Sequence, residues 1–214
     1  MLSFHTKSRT EHGGEIRKGK RKEARPFEAA KPMHVVLRST YATQELSFLR
    51  KRNKEAIQKI IHNGAKKFGV KILGFTNVGN HLHIIVKTTS NRYRLGRTQL
   101  ANYLRYISGA IAFFITGARK GKKVKDIFNH HNVASKSKSD TAHVRFWNNL
   151  TYTRIIHWGQ EYKTLQKYLL KNLLEAKNIW NRKNDASEKL FLLALERAGI
   201  RLPHQNLKTS FPTL

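Results

Sequence analysis

Apolar positions change their spacing along this chain, and each change marks a new element. After Pro32, residues 33–39 (MHVVLRS) form a β-branched apolar run that predicts a first strand. From Thr43, a capping residue type, Leu46, Leu49, Ile57, Ile60, Ile61 and Phe68 recur at helical spacing, predicting a helix to about Lys67 that Gly69 ends. Residues 70–78 (VKILGFTNV) predict a second strand, Gly79-Asn80 a tight turn, and residues 81–87 (HLHIIVK) a third strand. A second helix over 94–116 follows from Leu100, Leu104, Ile107, Ile111 and Phe114, spaced by three and four. A fourth strand is expected within 144–158 and a third helix over 161–176, with Leu165, Leu169 and Leu173 as its docking stripe. A fourth helix is expected over 185–199, where Asp185 or Ser187 caps and Glu188 completes a box-like start. The order β-α-β-β-α-β-α predicts an α+β fold: a ferredoxin-like split βαβ antiparallel sheet with helices packed on one face.

Three segments lack such a pattern. Residues 1–31 are polar, contain Gly13-Gly14 and carry Arg17, Lys18, Lys20, Arg21, Lys22 and Arg25. Nothing there forms an apolar face, so a flexible basic arm is expected, either ordering on a polyanion or staying solvated. Residues 117–142 form a loop with Arg119, Lys120, Lys122, Lys123 and Lys125, followed by SKSKSD. Loops of that length inside a compact domain are functional or disordered. The division is then an arm (1–31), a central domain (32–178) and a C-terminal helical extension (179–214).

Charge changes the picture more than composition does. Lys and Arg number 42 against 13 Asp and Glu, a formal net charge of +29. Such an excess resists compaction unless a polyanion neutralises it, and nucleic acid does so with release of counterions. Cysteine is absent, which removes disulfides, thiolate zinc sites and cysteine nucleophiles. No apolar stretch is long enough to span a bilayer, so no membrane partner is expected. The opening residues lack a signal-peptide core, and a cytoplasmic, nucleoid-associated protein is expected.

Two constellations carry chemistry. In a strand, residues two apart share a face, so His81 and His83 project together while Leu82 points away. Two neutral imidazoles side by side can chelate a divalent cation, although His-x-His also arises by chance. On the third helix Tyr168 and Asn172 stand at i and i+4, which brings hydroxyl and amide to one face. The alternative makes Tyr168 a core aromatic and Asn172 a solvated polar residue. Tyr162, with Gln166 four residues on, is a rival nucleophile, whereas Tyr103 and Tyr106 read as core. His130 and His131 suit phosphate or solvent better than metal, and His157-Trp158 suits packing or base stacking. Metal, tyrosine and basic surface together fit phosphodiester cleavage through a phosphotyrosine, which conserves bond energy for rejoining.

The stretch GFTNVGNHLHIIVK (74–87) resembles the segment of single-tyrosine HUH transposases in which a turn ending in Asn leads into His-hydrophobic-His. KYLLKNLLEA (167–176) resembles the helix of the REP-associated tyrosine transposases, where Asn follows the tyrosine four residues on. The resemblance covers roughly residues 32–178. It implies Mg²⁺ or Mn²⁺ held by His81 and His83, with Asn172 a third ligand or a group orienting the tyrosine. It implies attack by Tyr168 on single-stranded, hairpin or palindromic DNA, giving a 5′-phosphotyrosine and a free 3′-hydroxyl. The insertion-sequence relatives imply a homodimer and the REP-associated ones a monomer. With no carboxylate in this set, the DNA phosphate would complete the metal's shell. DNA contacts are expected from Arg17 to Arg25, Arg94, Arg97 and Arg119 to Lys125. A binding module without catalysis, and a nuclease that activates water, remain competing readings.

Overall fold

A computed structural model describes residues 10–21, 23–117 and 145–178. It contains β1 (Glu11–His12), β2 (Met33–Arg38), α1 (Lys51–Phe68), β3 (Val70–Asn77), β4 (His81–Thr88), α2 (Tyr93–Thr116), β5 (Tyr152–Ile155) and α3 (Gln160–Ala176). The sheet order is β1-β5-β2-β4-β3, and every pairing is antiparallel. Without the short β1 this is the split βαβ arrangement: β4 lies between β2 and β3, the two strands that α1 connects.

Alternation along the strands makes two unlike faces. Met33, Val35 and Leu37 of β2 and Leu82, Ile84 and Val86 of β4 point to one side. There they meet Ile57, Ile61 and Ala65 of α1 and Leu100, Tyr103, Leu104, Ile107 and Ile111 of α2 in the main core. Gly64 lets the helices approach, because a Cβ there would stand 2.7 Å from a ring carbon of Tyr106. Tyr103 and Tyr106 therefore belong to the core side, as their neighbours in sequence predict. The third helix, α3, departs from the expected packing of all helices on one face and lies against β3 on the other face. Its Leu169 carbonyl accepts a 3.2 Å hydrogen bond from Thr76, which stands opposite His83 in the β3–β4 register and so shares that face. Leu169 and Leu174 are its buried leucines, with Leu165 and Leu173 half-buried.

Two further expectations are corrected. The helix expected from Thr43 starts later: Thr43 caps only a 3₁₀ turn (Gln44–Leu46), and α1 begins at Lys51. Between them the chain extends so that Phe48 can be buried and bond Gly79 O through its N–H (2.8 Å), which leaves Leu49 exposed. Asn53 fastens the break by donating to the carbonyls of Glu45 and Ser47, each at 2.9 Å. The basic arm is also not wholly loose. Residues 11 and 12 pair with β5, and Ile155 donates to Thr10 O at 3.0 Å, which covers an otherwise open sheet edge. Gly13 turns the chain at φ 82° where a Cβ would stand 2.1 Å from Thr151 O. Phe27, a lone aromatic among charges, is buried in the core against Tyr93.

The expected helix over 185–199, the basic loop from Arg119 to Lys125 with His130 and His131, and Lys22 lie outside the described residues. Among the described residues no helix is long and apolar enough to cross a membrane.

Candidate functional site

The face opposite the main core gathers polar side chains. His81 and His83 lie on β4, His34 on β2, and Tyr152 and Arg154 on β5; their registers put all of them on the α3 side of the sheet. The His81 and His83 rings are 4.8 Å apart between centroids, as the two-residue spacing requires. Tyr168 of α3 stands edge-on to His83, with centroids 5.6 Å apart and planes at 88°. It is 40% exposed, so the core-aromatic alternative is set aside. Asn172 is buried rather than solvated, one turn further along the same helix. Tyr162 packs on Trp158 instead, with centroids 4.9 Å apart, and burial raises its pKa.

Each imidazole has one nitrogen engaged. His81 donates its Nδ1–H to Asn80 Oδ1 at 2.7 Å, which leaves Nε2 as its lone-pair nitrogen. His83 Nδ1 shares a 3.0 Å hydrogen bond with His34 Nε2, and the two rings are stacked at 12°. His83 Nε2 is buried and, among the described residues, has no hydrogen-bond partner. Buried polar atoms are rarely left so, which makes this atom a candidate ligand position.

Electrostatics keep the cluster uncharged. Burial, with the nearby His34 and His81, pushes His83 down to about 3. Burial and then the Arg154 charge push His34 down to about 4. His81 is lowered as well, by burial first and then by Arg38, its register partner on β2. At neutral pH all three imidazoles keep a lone pair, the form that binds metal. Among the described residues, no three His, Cys, Asp or Glu side chains are grouped to hold a metal ion. His34 does not make the third, because its Nε2 is turned to His83. The donors present are thus two neutral imidazoles, with Asn172 one helical turn beyond Tyr168 on α3. Two neutral imidazoles are two of the ligands a divalent cation needs, and a substrate phosphate or water would have to supply the rest.

His34, Arg38, Tyr152 and Arg154 were not singled out by the sequence. Arg154 is paired with Glu161 (2.5 Å) and Glu11 (3.6 Å). Burial, followed by the charge and hydrogen bond of Glu11, raises the Tyr152 phenol to about 12. Of the basic residues expected to meet DNA, Lys18, Lys20, Arg21 and Arg94 are exposed and Arg97 is half-exposed. The side chain of Arg17 lies outside the described residues. Arg25 is turned inward: it donates to Thr151 O (3.0 Å) and Thr153 Oγ1, and burial lowers it to about 10. It ties the arm to β5 rather than facing a ligand.

No protein-family model matches the sequence, and no curated protein matches it. Among solved structures, the chain is similar to a provisionally assigned transposase from Deinococcus radiodurans R1. That match has 14% identity and a TM-score of 0.39, covering 69% of this chain and 95% of the other. It is also similar to a REP-associated tyrosine transposase bound to a REP hairpin. Here identity is 11% and the TM-score 0.42, covering 72% of this chain and 74% of the other.

Proposed function

We infer that this protein is a transposase-like enzyme that nicks and rejoins DNA through a covalent tyrosine intermediate. The observation that carries the reading is the exposed Tyr168 edge-on to His83, beside His81, on a strongly basic chain. Mg²⁺ or Mn²⁺ held by His81 and His83, with Asn172 as a third donor or an orienting group, would offset charge on the non-bridging phosphoryl oxygens.

The chain's own residues supply the rest. The Tyr168 hydroxyl attacks phosphorus, losing its proton as the tyrosyl O–P bond forms. The bond from phosphorus to the 3′ oxygen breaks, and that oxygen takes up a proton. The products are a 5′-phosphotyrosine and a free 3′-hydroxyl, and reversal rejoins the strand with no external energy source. Helix α3 holds Tyr168 against His83 on the polar face of the sheet, so the strand to be cut is bound across that face. Arg38, Arg94, Arg97, Lys18, Lys20 and Arg21 hold the backbone, with few base contacts, which suits a single-stranded or hairpin substrate.

The test is incubation with end-labelled hairpin DNA and Mn²⁺, read on a denaturing protein gel. A shifted, labelled band that vanishes with chelator and in Tyr168→Phe is expected. Cleavage without a shifted band, persisting in Tyr168→Phe, would replace the reading with a nuclease that activates water. Binding without cleavage would replace it with a binding module.

A further inference from the structure

His34 is the one polar residue in the β2 segment MHVVL, and it is buried to 8% exposure where an apolar side chain would pack without needing a partner. It faces Ile85 in register, so His83 is its diagonal neighbour, within reach of a ring. The two imidazoles stack and share the 3.0 Å bond between His34 Nε2 and His83 Nδ1. A single proton lies in that bond, and it can belong to either ring. If His34 donates, the proton of neutral His83 sits on Nε2, and a buried N–H is left with no acceptor among the described residues. If His83 donates, its Nε2 becomes a bare lone pair, the form a cation can complete.

We propose that His34 is a positioning residue that accepts the His83 Nδ1 proton, fixing the tautomer and ring plane in which His83 Nε2 binds a divalent cation. This rests on the metal-site reading above. Asn80 performs the same service for His81, since its Oδ1 takes the Nδ1–H at 2.7 Å. Both ligands are thus oriented by neutral acceptors, whereas carboxylates in this role would add negative charge behind the imidazoles. A neutral outer layer leaves the cation's charge for the DNA phosphate, so metal and DNA bind each other's complex more tightly than the protein alone.

The test uses the full chain without DNA. Mn²⁺ affinity is measured for wild type, His34→Leu, His34→Gln, His81→Ala and His83→Ala, with thermal melts to confirm folding. His34→Leu is expected to weaken Mn²⁺ by about 10- to 100-fold, the range for loss of such a partner. His34→Gln, whose amide oxygen can accept the same proton, is expected to recover most of it. In wild type at saturating Mg²⁺, ¹⁵N shifts are expected to show His83 protonated at Nδ1 and not at Nε2, a readout that needs no variant. Loss of binding in His81→Ala and His83→Ala but not in His34→Leu would overturn the positioning role alone. An Nε2-protonated His83, no rescue by a folded His34→Gln, or ¹⁵N shifts showing His34 itself ligating would do the same. Unchanged Mn²⁺ binding in His81→Ala and His83→Ala would overturn the metal site, and this proposal with it.

Discussion

The two faces of one sheet are built from the same strands and do opposite things. On the α1–α2 side, the inward residues of β2 and β4 are aliphatic or Met apart from Thr88 at the end of β4, and the helices cover them. On the α3 side, the alternate residues of those strands include His34, His81 and His83, and β5 adds Tyr152 and Arg154. The first face supplies stability through apolar burial. The second places groups that are individually unfavourable to bury, and holds them with hydrogen bonds and a helix carrying an exposed tyrosine. Because side chains alternate, one strand serves both purposes, and a one-residue slip of β4 would exchange the His pair for Leu82 and Ile84.

This contrast can be broken from either side. The largest effect is expected from Tyr168→Phe, which removes one exposed hydroxyl. Adduct formation should fall by several orders of magnitude, as removal of a covalent nucleophile does, while the melting temperature stays near wild type. A large loss of stability in this variant would mean that the α3 side is structural after all. Ile107→Ala tests the other face. Ile107 is fully buried, so chemical denaturation should show a loss of about 2–5 kcal/mol. Its folded fraction should still form adduct.

Acidification of the metal-free protein should separate the faces next. Unfolded histidines take up a proton near pH 6.5, whereas folded His34 and His83 do so only near 4 and 3. Between those values the unfolded state binds more protons, so stability falls as pH drops from about 6.5 towards 3 and levels off below. Replacing both histidines with leucine should flatten that part of a pH–stability curve, and an unchanged slope would refute the burial of neutral imidazoles. Smallest is Gly64→Ala, which adds a methyl 2.7 Å from the Tyr106 ring. Overpacking of about 1–3 kcal/mol is offset by roughly 1 kcal/mol of helix propensity, leaving a modest net loss in a thermal melt.

Much of the core side was legible in the sequence, because period-two and period-3.6 patterns fix which residues turn inward. The shared face of His81 and His83 and the i, i+4 relation of Tyr168 and Asn172 follow from the same periodicities. The apolar stripe of α3 says only that the helix docks, so its placement across the sheet from α1 and α2 had to come from Thr76 and Leu169. His34 was hidden for a different reason. A lone histidine in an apolar strand acquires meaning only through the register 34↔85, which local sequence does not encode. Helical spacing likewise ran through Leu49, since nothing local announces that Phe48 must be buried beneath the β3–β4 turn. The arm was misread because Phe27 and Arg25 are single anchors in a charged segment, and their partners on α2 and β5 lie far away in sequence.

The central claim is that Tyr168, and no other tyrosine, becomes covalently linked to DNA. The most direct measurement is peptide mass spectrometry of the protein trapped on a cleaved hairpin in Mn²⁺, digested with protease and nuclease. A residual nucleotide is expected on the peptide carrying Tyr168. The same mass on the peptide carrying Tyr162 or Tyr152, or on none despite cleavage, would contradict it.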